Sequence, residues 1–419
     1  MRRTLAAAIA TVVLTTGLTA CSETPATAPV TITWWDTSDA KNEAPTYKAL
    51  VKEFEKTHPG IKVTYVNVPF ADAQTKFQKA AAAKQAPDVL RADVGWTPGL
   101  AQAGFLTPLN DTPAEPDDVV FQEELIEQAT YDGKIYGAPQ VTDTLALMYN
   151  KDLFAQAGIT HAPDSWQELK RDMAKIKEKT GSDGFAFNPQ AYFAMPFLFG
   201  EGTDLVDADY KLVTVNSDAS VKGMTTLAEL LQAPGARKLD TTNKAYANIM
   251  DAFSNGKVAA IIQGPWETAN LFKSKAFTDP QNLGIAPVPK GSAGRGAPLG
   301  GHNLVASTGT DPARRNAAHT FIAYMTSVEA QEKVAIANGT LPTRVDAYTG
   351  DVLFKPEIAE YHAALKEGVP RQPIPEYTAL YAAMEPHLIG ILTGRTTSRA
   401  GLDAISEAAL RLLPDYRKP

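Results

Sequence analysis

Val30-Thr31-Ile32-Thr33-Trp34-Trp35, Ile61-Lys62-Val63-Thr64-Tyr65-Val66 and Asp88-Val89-Leu90 are the stretches on which the fold turns. The first two alternate apolar and polar residues with the period of a β-strand, and the third reads as a short buried strand. Pro45 opens a helix between the first two. On it Tyr47, Leu50, Val51 and Phe54 form one apolar stripe, and His58-Pro59-Gly60 stops it. A second, alanine-rich helix over 74–84 carries Phe77 and leads to the third strand. Strand–helix–strand–helix–strand implies right-handed crossovers and a parallel sheet, hence an α/β fold. Ligands of such sheets gather beyond the carboxyl ends of the strands. Three loops leave those ends, over 36–42, 69–71 and 93–97, and they bring Asp36, Ser38, Asp93 and Trp96 to one edge.

Upstream, Arg2 and Arg3 precede an apolar run over 5–14, and no acid appears before Glu23. A basic start and a run too short to span a bilayer read as an export signal. Leu18-Thr19-Ala20-Cys21 closes it with small residues abutting the sole cysteine of the chain. This resembles a bacterial lipobox, which predicts a signal peptide over 1–20, lipid on Cys21 and a polar tether over 21–29. One cysteine also excludes an internal disulfide and cysteine-held metal clusters. With 40 Lys+Arg against 47 Asp+Glu, a net charge of −7 argues against nucleic acid as a partner.

Downstream, Asp132-Gly133 centres a hairpin, and a strand over 145–149 runs into a helix over 150–157 closed by Gly158. A longer helix over 163–180 is closed by Gly181. The apolar strand over 258–262 enters Gln263-Gly264-Pro265-Trp266-Glu267, which begins a helix. Gly300-Gly301-His302-Asn303 precedes a short strand over 304–306, and the last hundred residues read as mostly helical.

Catalytic motifs are scarce. The six histidines show no i, i+4 pair, so no metal site is expected. Ser38-Asp39-Ala40-Lys41 and Lys179-Thr180-Gly181 match short motifs of penicillin-binding enzymes, but the first lies in a loop and the second at a helix stop. Asp93, Asp143 and Glu267 could serve a glycoside hydrolase, although no local spacing identifies an acid–base pair. The aromatics point elsewhere. Trp266 beside Glu267, and Trp96 near Asp93, each set a flat apolar face next to an acceptor. That combination suits a sugar ring. Trp166 and at least one of Trp34 and Trp35 are expected in the core.

Thr33-Trp34-Trp35, the run over 54–63, Ala86-Pro87-Asp88-Val89, the run over 145–153, Gly264-Pro265-Trp266 and Gly300-Gly301-His302 together resemble one family. It is the extracellular sugar-binding lipoproteins of ATP-driven (ABC) importers, in their maltose/trehalose-binding branch. The resemblance implies a two-lobed periplasmic-binding-protein fold, each lobe a sheet flanked by helices, joined by a multi-strand hinge. The implied lobes are 30–142 with 300–328, and 143–299 with 329–419. It implies no enzyme activity and no cofactor. Its partners are an oligosaccharide and a membrane permease, met by a monomer held at the outer membrane face by lipid.

By the same resemblance Asp143 is an acidic hydroxyl binder near the hinge, Tyr192 a stacking tyrosine and Trp266 the principal stacking tryptophan. Asp93 and Trp96 are first-lobe contacts, and Gly301-His302 is a glycine–aromatic pair. Arg371, followed by Tyr377, reaches the ligand from the second lobe. Asp36, Ser38 and Glu267 complete the expected ligand-binding set. The loop over 36–39 departs from the Asp-Lys pair of the best-known maltose binders, so maltose, a longer α-glucan, trehalose and an unrelated oligosaccharide all stay open.

Overall fold

The computed structural model describes residues 28–419. The export segment, Cys21 and most of the tether lie outside the described residues.

Two sheets organise the chain. The larger has the strand order Ile61–Asn67, Val30–Asp36, Val89–Asp93, Gly300–Ala306, Gly137–Asp143. The first three run parallel, with Trp34 opposite both Tyr65 and Val89. Gly300–Ala306 then runs antiparallel to both of its neighbours. Alternation along these strands sorts side chains to two faces. Ile32, Trp34 and Val89 pack with Tyr47, Leu50, Phe54 and Phe321 on one face, and Leu90 and Ala92 pack with Phe77, Leu100 and Trp96 on the other. The apolar stripe of the Ala44–Thr57 helix is buried as its spacing requires. Trp34 is fully buried, and Trp166 stacks on Phe197 at 4.0 Å, both in the core.

The second sheet is a three-stranded antiparallel set, Ala260–Gln263, Ala146–Asn150 and Leu283–Pro287. Leu147 faces one core cluster and Met148 the other, so helices cover this sheet on both sides as well. The C-terminal helices Tyr377–Leu392 and Ser398–Leu412 join the larger of the two clusters. Ser165 caps the Trp166–Thr180 helix through the Glu168 N–H, and Gly181 closes it in the left-handed conformation.

Gly137–Asp143 ends in the first sheet and, two residues later, Ala146–Asn150 begins in the second. The chain returns from Leu283–Pro287 through Ala297–Pro298 to Gly300–Ala306. A third crossing falls in the helix Val328–Asn338, where Ala330 and Val334 belong to a first-lobe cluster and Ala335 to a second-lobe one. That helix straddles the 328/329 boundary read from the sequence.

Three local readings need correction. The strand expected over 304–306 begins at Gly300, where Gly301 at φ +121° pairs with Thr142 so closely that a Cβ would stand 2.1 Å from the Val141 carbonyl oxygen. The second helix starts at Phe70, with Pro69 as its N-cap, not at Gln74. Trp266 and Glu267 lie in a three-residue 3₁₀ turn, Pro265–Glu267, ahead of a short helix.

Candidate functional site

The loop after the first strand is closed on itself. Asp36 is fully buried, and its carboxylate accepts from the Ser38 N–H (3.0 Å), the Ser38 hydroxyl (2.5 Å) and the Tyr65 hydroxyl (2.5 Å). Ser38 is 4 % exposed. Both residues spend their polar atoms on shaping the loop, and neither faces open space here. Below them, buried Arg91 donates to Gln140 (2.9 Å) and approaches Glu43 at 3.7 Å.

A second group gathers where the lobes meet. Asp93 ends its strand, caps the following turn through the Gly95 N–H, and pairs with Arg371 at 3.0 Å. Arg371 also donates to the Leu299 carbonyl (3.1 Å), and its guanidinium lies 5.7 Å from the Tyr192 ring centre. Burial works against the Arg371 charge, and Asp93, Tyr381 and Tyr192 together outweigh it, so the guanidinium stays charged. Asp143 sits opposite Gly300 and accepts from the Tyr192 hydroxyl at 3.1 Å. Burial pushes its carboxyl up to about 7, with Arg371 opposing and Asp93 adding to the rise. Asp93, Asp143, Tyr192 and Arg371 are thus one cluster, assembled from both lobes and the hinge.

His302 lies opposite Asp93 on the neighbouring strand. Neither of its ring nitrogens has a partner, and burial, with help from Arg91 and Arg371, holds it well below 6.5 and therefore neutral. Phe70 meets the His302 ring edge-on at 5.8 Å and stacks over Trp96 at 5.0 Å. Trp96 is only 6 % exposed, whereas Phe70 is 47 % exposed. The outer aromatic face is therefore Phe70, with Trp96 behind it.

On the second lobe the half-buried Trp266 indole donates its N–H to the Tyr246 hydroxyl at 2.8 Å. Tyr246 donates onward to Glu267 at 2.6 Å, and Asn270 donates to the other Glu267 oxygen at 3.0 Å. Burial raises the Glu267 carboxyl, and the nearby Asp39 charge from the first lobe adds to it. Buried Tyr361 donates to the Gln263 carbonyl at 2.8 Å and so fixes the strand end just ahead of this turn.

Tyr377 stands apart and is a correction. It is 1 % exposed in the second-lobe core and donates to Asp204 at 3.0 Å, so it presents nothing to a ligand. Gly301 likewise serves the strand pairing described above. Phe70 and Tyr246 were missed. Phe70 lies in the loop over 69–71 that the sheet topology had singled out, so its position was available; Tyr246 is twenty residues from Trp266, and no spacing links them. Among the described residues no cluster of three or more His, Cys, Asp or Glu could hold a metal ion.

Two α/β lobes and three chain crossings, with aromatic and acidic groups gathered where the lobes meet, define a two-lobed binding protein. The chain belongs to the bacterial extracellular solute-binding protein family, whose pattern matches residues 40–332. It is similar to a binding protein of Brucella abortus, at 30% identity over 264 residues. That match spans 60% of this chain and 61% of the relative's length. The diacetylchitobiose-binding protein DasA of Streptomyces coelicolor is 27% identical over 370 residues, 87% of this chain and 85% of DasA. The GacH receptor of Streptomyces glaucescens, solved unliganded and with acarbose, superposes with a TM-score of 0.89 at 38% identity, covering 93% of this chain and all of that one.

Proposed function

We propose that the protein captures an oligosaccharide, an α-linked gluco-oligosaccharide or an acarbose-like analogue, between closing lobes and delivers it to an ABC permease. One observation carries this: a part-exposed tryptophan beside a carboxylate on one lobe, with the Phe70–Trp96–His302 ledge on the other. A sugar stacks its apolar face on the aromatics while its hydroxyls meet Asp143, His302 and Glu267. Contacts from both lobes to one ligand are what favours the closed state over the open one. The resemblance to proteins that bind acarbose or diacetylchitobiose supports a ligand of two or more sugar units.

In this reading the lobes are 30–142 with 300–328 and 143–299 with 329–419, the Val328–Asn338 helix being shared between them, and the chain works as a monomer without cofactor. Catalysis is not part of it. Asp93 is held by Arg371, Glu267 by Tyr246 and Asn270, and Asp143 by Tyr192, so each of the three acids already serves the protein's own contacts. Lipid on Cys21 holds the protein at the outer face of the membrane.

The test is a thermal-shift screen with maltose, maltotetraose, acarbose, trehalose and diacetylchitobiose. A ligand at 100 times its Kd stabilises by ~2.7 kcal/mol. No shift with any of the five sinks the proposal, and turnover of a bound sugar, followed by chromatography, replaces it with the hydrolase. For the anchor, Cys21→Ala is expected to move the protein from the membrane fraction to the medium.

A further inference from the structure

We infer that Tyr246 is a positioning residue, which sets the Trp266 indole in its stacking orientation before any ligand arrives. The inference rests on the reading of Trp266 as the stacking residue. Trp266 lies in a three-residue 3₁₀ turn, which is too short to fix a side chain by helical packing. Two contacts supply what the turn lacks.

The first is steric. The six-membered ring of the indole lies so close to Gly264 that a Cβ there would stand 1.9 Å from it. Gly264 is extended (φ −100°, ψ 171°), so it is the ring and not the backbone that requires glycine. The second is a hydrogen-bond chain with one polarity. An indole N–H can only donate, so the Tyr246 oxygen accepts it and the Tyr246 proton goes to Glu267. Asn270 fixes the other Glu267 oxygen, and the chain ends there.

Tyr246 is itself well anchored. Its helix, Ala245–Ser254, buries Ile249, Met250, Ala252 and Phe253, and its ring lies edge-on to Phe193 at 6.3 Å. Glu267 on this view is the end of the chain that holds the tryptophan, with one bond already accepted by each oxygen. An indole fixed in advance spares the ligand the cost of ordering it.

Tyr246→Phe keeps the ring and removes both hydrogen bonds. In the ligand-free protein, the Trp266 indole N–H resonance, assigned with Trp266→Phe, is expected to shift and to exchange faster with water. With acarbose as the probe, the affinity of Tyr246→Phe is expected to fall about three- to tenfold, the range one hydrogen bond's net worth converts to. Gly264→Ala is expected to displace the ring and approach the affinity of Trp266→Ala. Glu267→Leu, which removes the acceptor of the Tyr246 proton, is expected to shift the indole resonance as Tyr246→Phe does and to lose at least as much affinity. An unmoved indole resonance in ligand-free Tyr246→Phe overturns the inference, whatever acarbose does. So does parental affinity in Tyr246→Phe when Trp266→Ala has lost it, and in that case the stacking reading survives. Parental affinity in Trp266→Ala removes the stacking reading and the inference with it.

Discussion

The loop that follows the first strand and the turn that follows Ala260–Gln263 occupy equivalent places, each at a strand end ahead of a helix. Their polar groups have opposite fates. In the first, Asp36 has no exposed surface and its carboxylate holds Ser38 and Tyr65. In the second, Glu267 holds Tyr246, Tyr246 holds the Trp266 indole, and the indole keeps part of its surface exposed. Both loops satisfy their buried acceptors, as they must, because an unpaired one costs about 1–3 kcal/mol. Only the second leaves a face for a ligand. A carboxylate at the end of a strand is thus a weak sign of a site, and the aromatic surface it supports is a stronger one.

The largest effect is expected from an acid that serves the fold. Asp93 neutralises the buried Arg371, and removing one partner of such a pair typically costs about 3–5 kcal/mol. Asp93→Ala should lose stability on that scale in ligand-free denaturant titration, since the pair also joins the two lobes. A loss of affinity with unchanged stability would instead move Asp93 to the ligand side of the comparison.

Trp266→Ala is the mirror experiment. Truncating a dominant contact often costs 2 kcal/mol or more, so the affinity should fall by about thirtyfold or more. The ligand-free melting temperature should fall less than for a core tryptophan, because the ring packs on the core cluster but keeps part of its surface exposed. A core tryptophan would cost ~3–5 kcal/mol of folding stability, and that result with affinity intact would erase the contrast between the two loops.

Asp143 stands between these extremes, and its titration sharpens the comparison. Its carboxyl is raised to about 7 by burial, from an unfolded value near 4. The folded state therefore holds the proton more tightly between these two values. Stability from this group is present below about pH 4 and is lost as pH rises through about 7. Asp143→Asn should flatten that slope in melting curves from pH 4 to 8. A sugar hydroxyl donates to the ionised form, so binding near pH 6 should release a proton. Calorimetry in buffers of different ionisation enthalpy would detect it, and buffer-independent heats would take Asp143 out of contact with the sugar.

How far the sequence reached depended on whether a signal was local. The apolar stripe from Tyr47 to Phe54, the three parallel strands and the loops at their ends followed from spacing alone. So did the burial of Trp34 and Trp166, because periodic segments bury aromatics; turns decide less, since Trp96 is buried in its turn while Trp266 is part-exposed in its own. The Gly300–Ala306 strand was read four residues short because two glycines at its start mask its propensity. Contacts across hundreds of residues left no local trace. Asp93 and Arg371 are 278 positions apart, so each was read as free for a ligand when they hold one another. Tyr246 is only twenty positions from Trp266, but it too was invisible, because its role comes from the hydroxyl's position against an indole on another element.

The smallest effect belongs to Tyr377, which the resemblance placed at the ligand and the fold places in the core. Its hydroxyl donates to Asp204, whose carboxyl burial raises to about 6, with this bond and the Leu205 N–H opposing the rise. Tyr377→Phe leaves the ring packing in place and removes one donor from a buried acceptor. The expected cost is about 1–3 kcal/mol of stability, with acarbose affinity unchanged. The cost should be greatest above pH 6, where Asp204 is ionised and needs the donor, and smaller at pH 5, where a protonated carboxyl tolerates its loss. Melting curves at the two pH values, with one binding titration, decide the matter. A severalfold loss of affinity with no change in melting would return Tyr377 to the cleft, and Asp204 would then mark a second acidic lining that the closed core conceals.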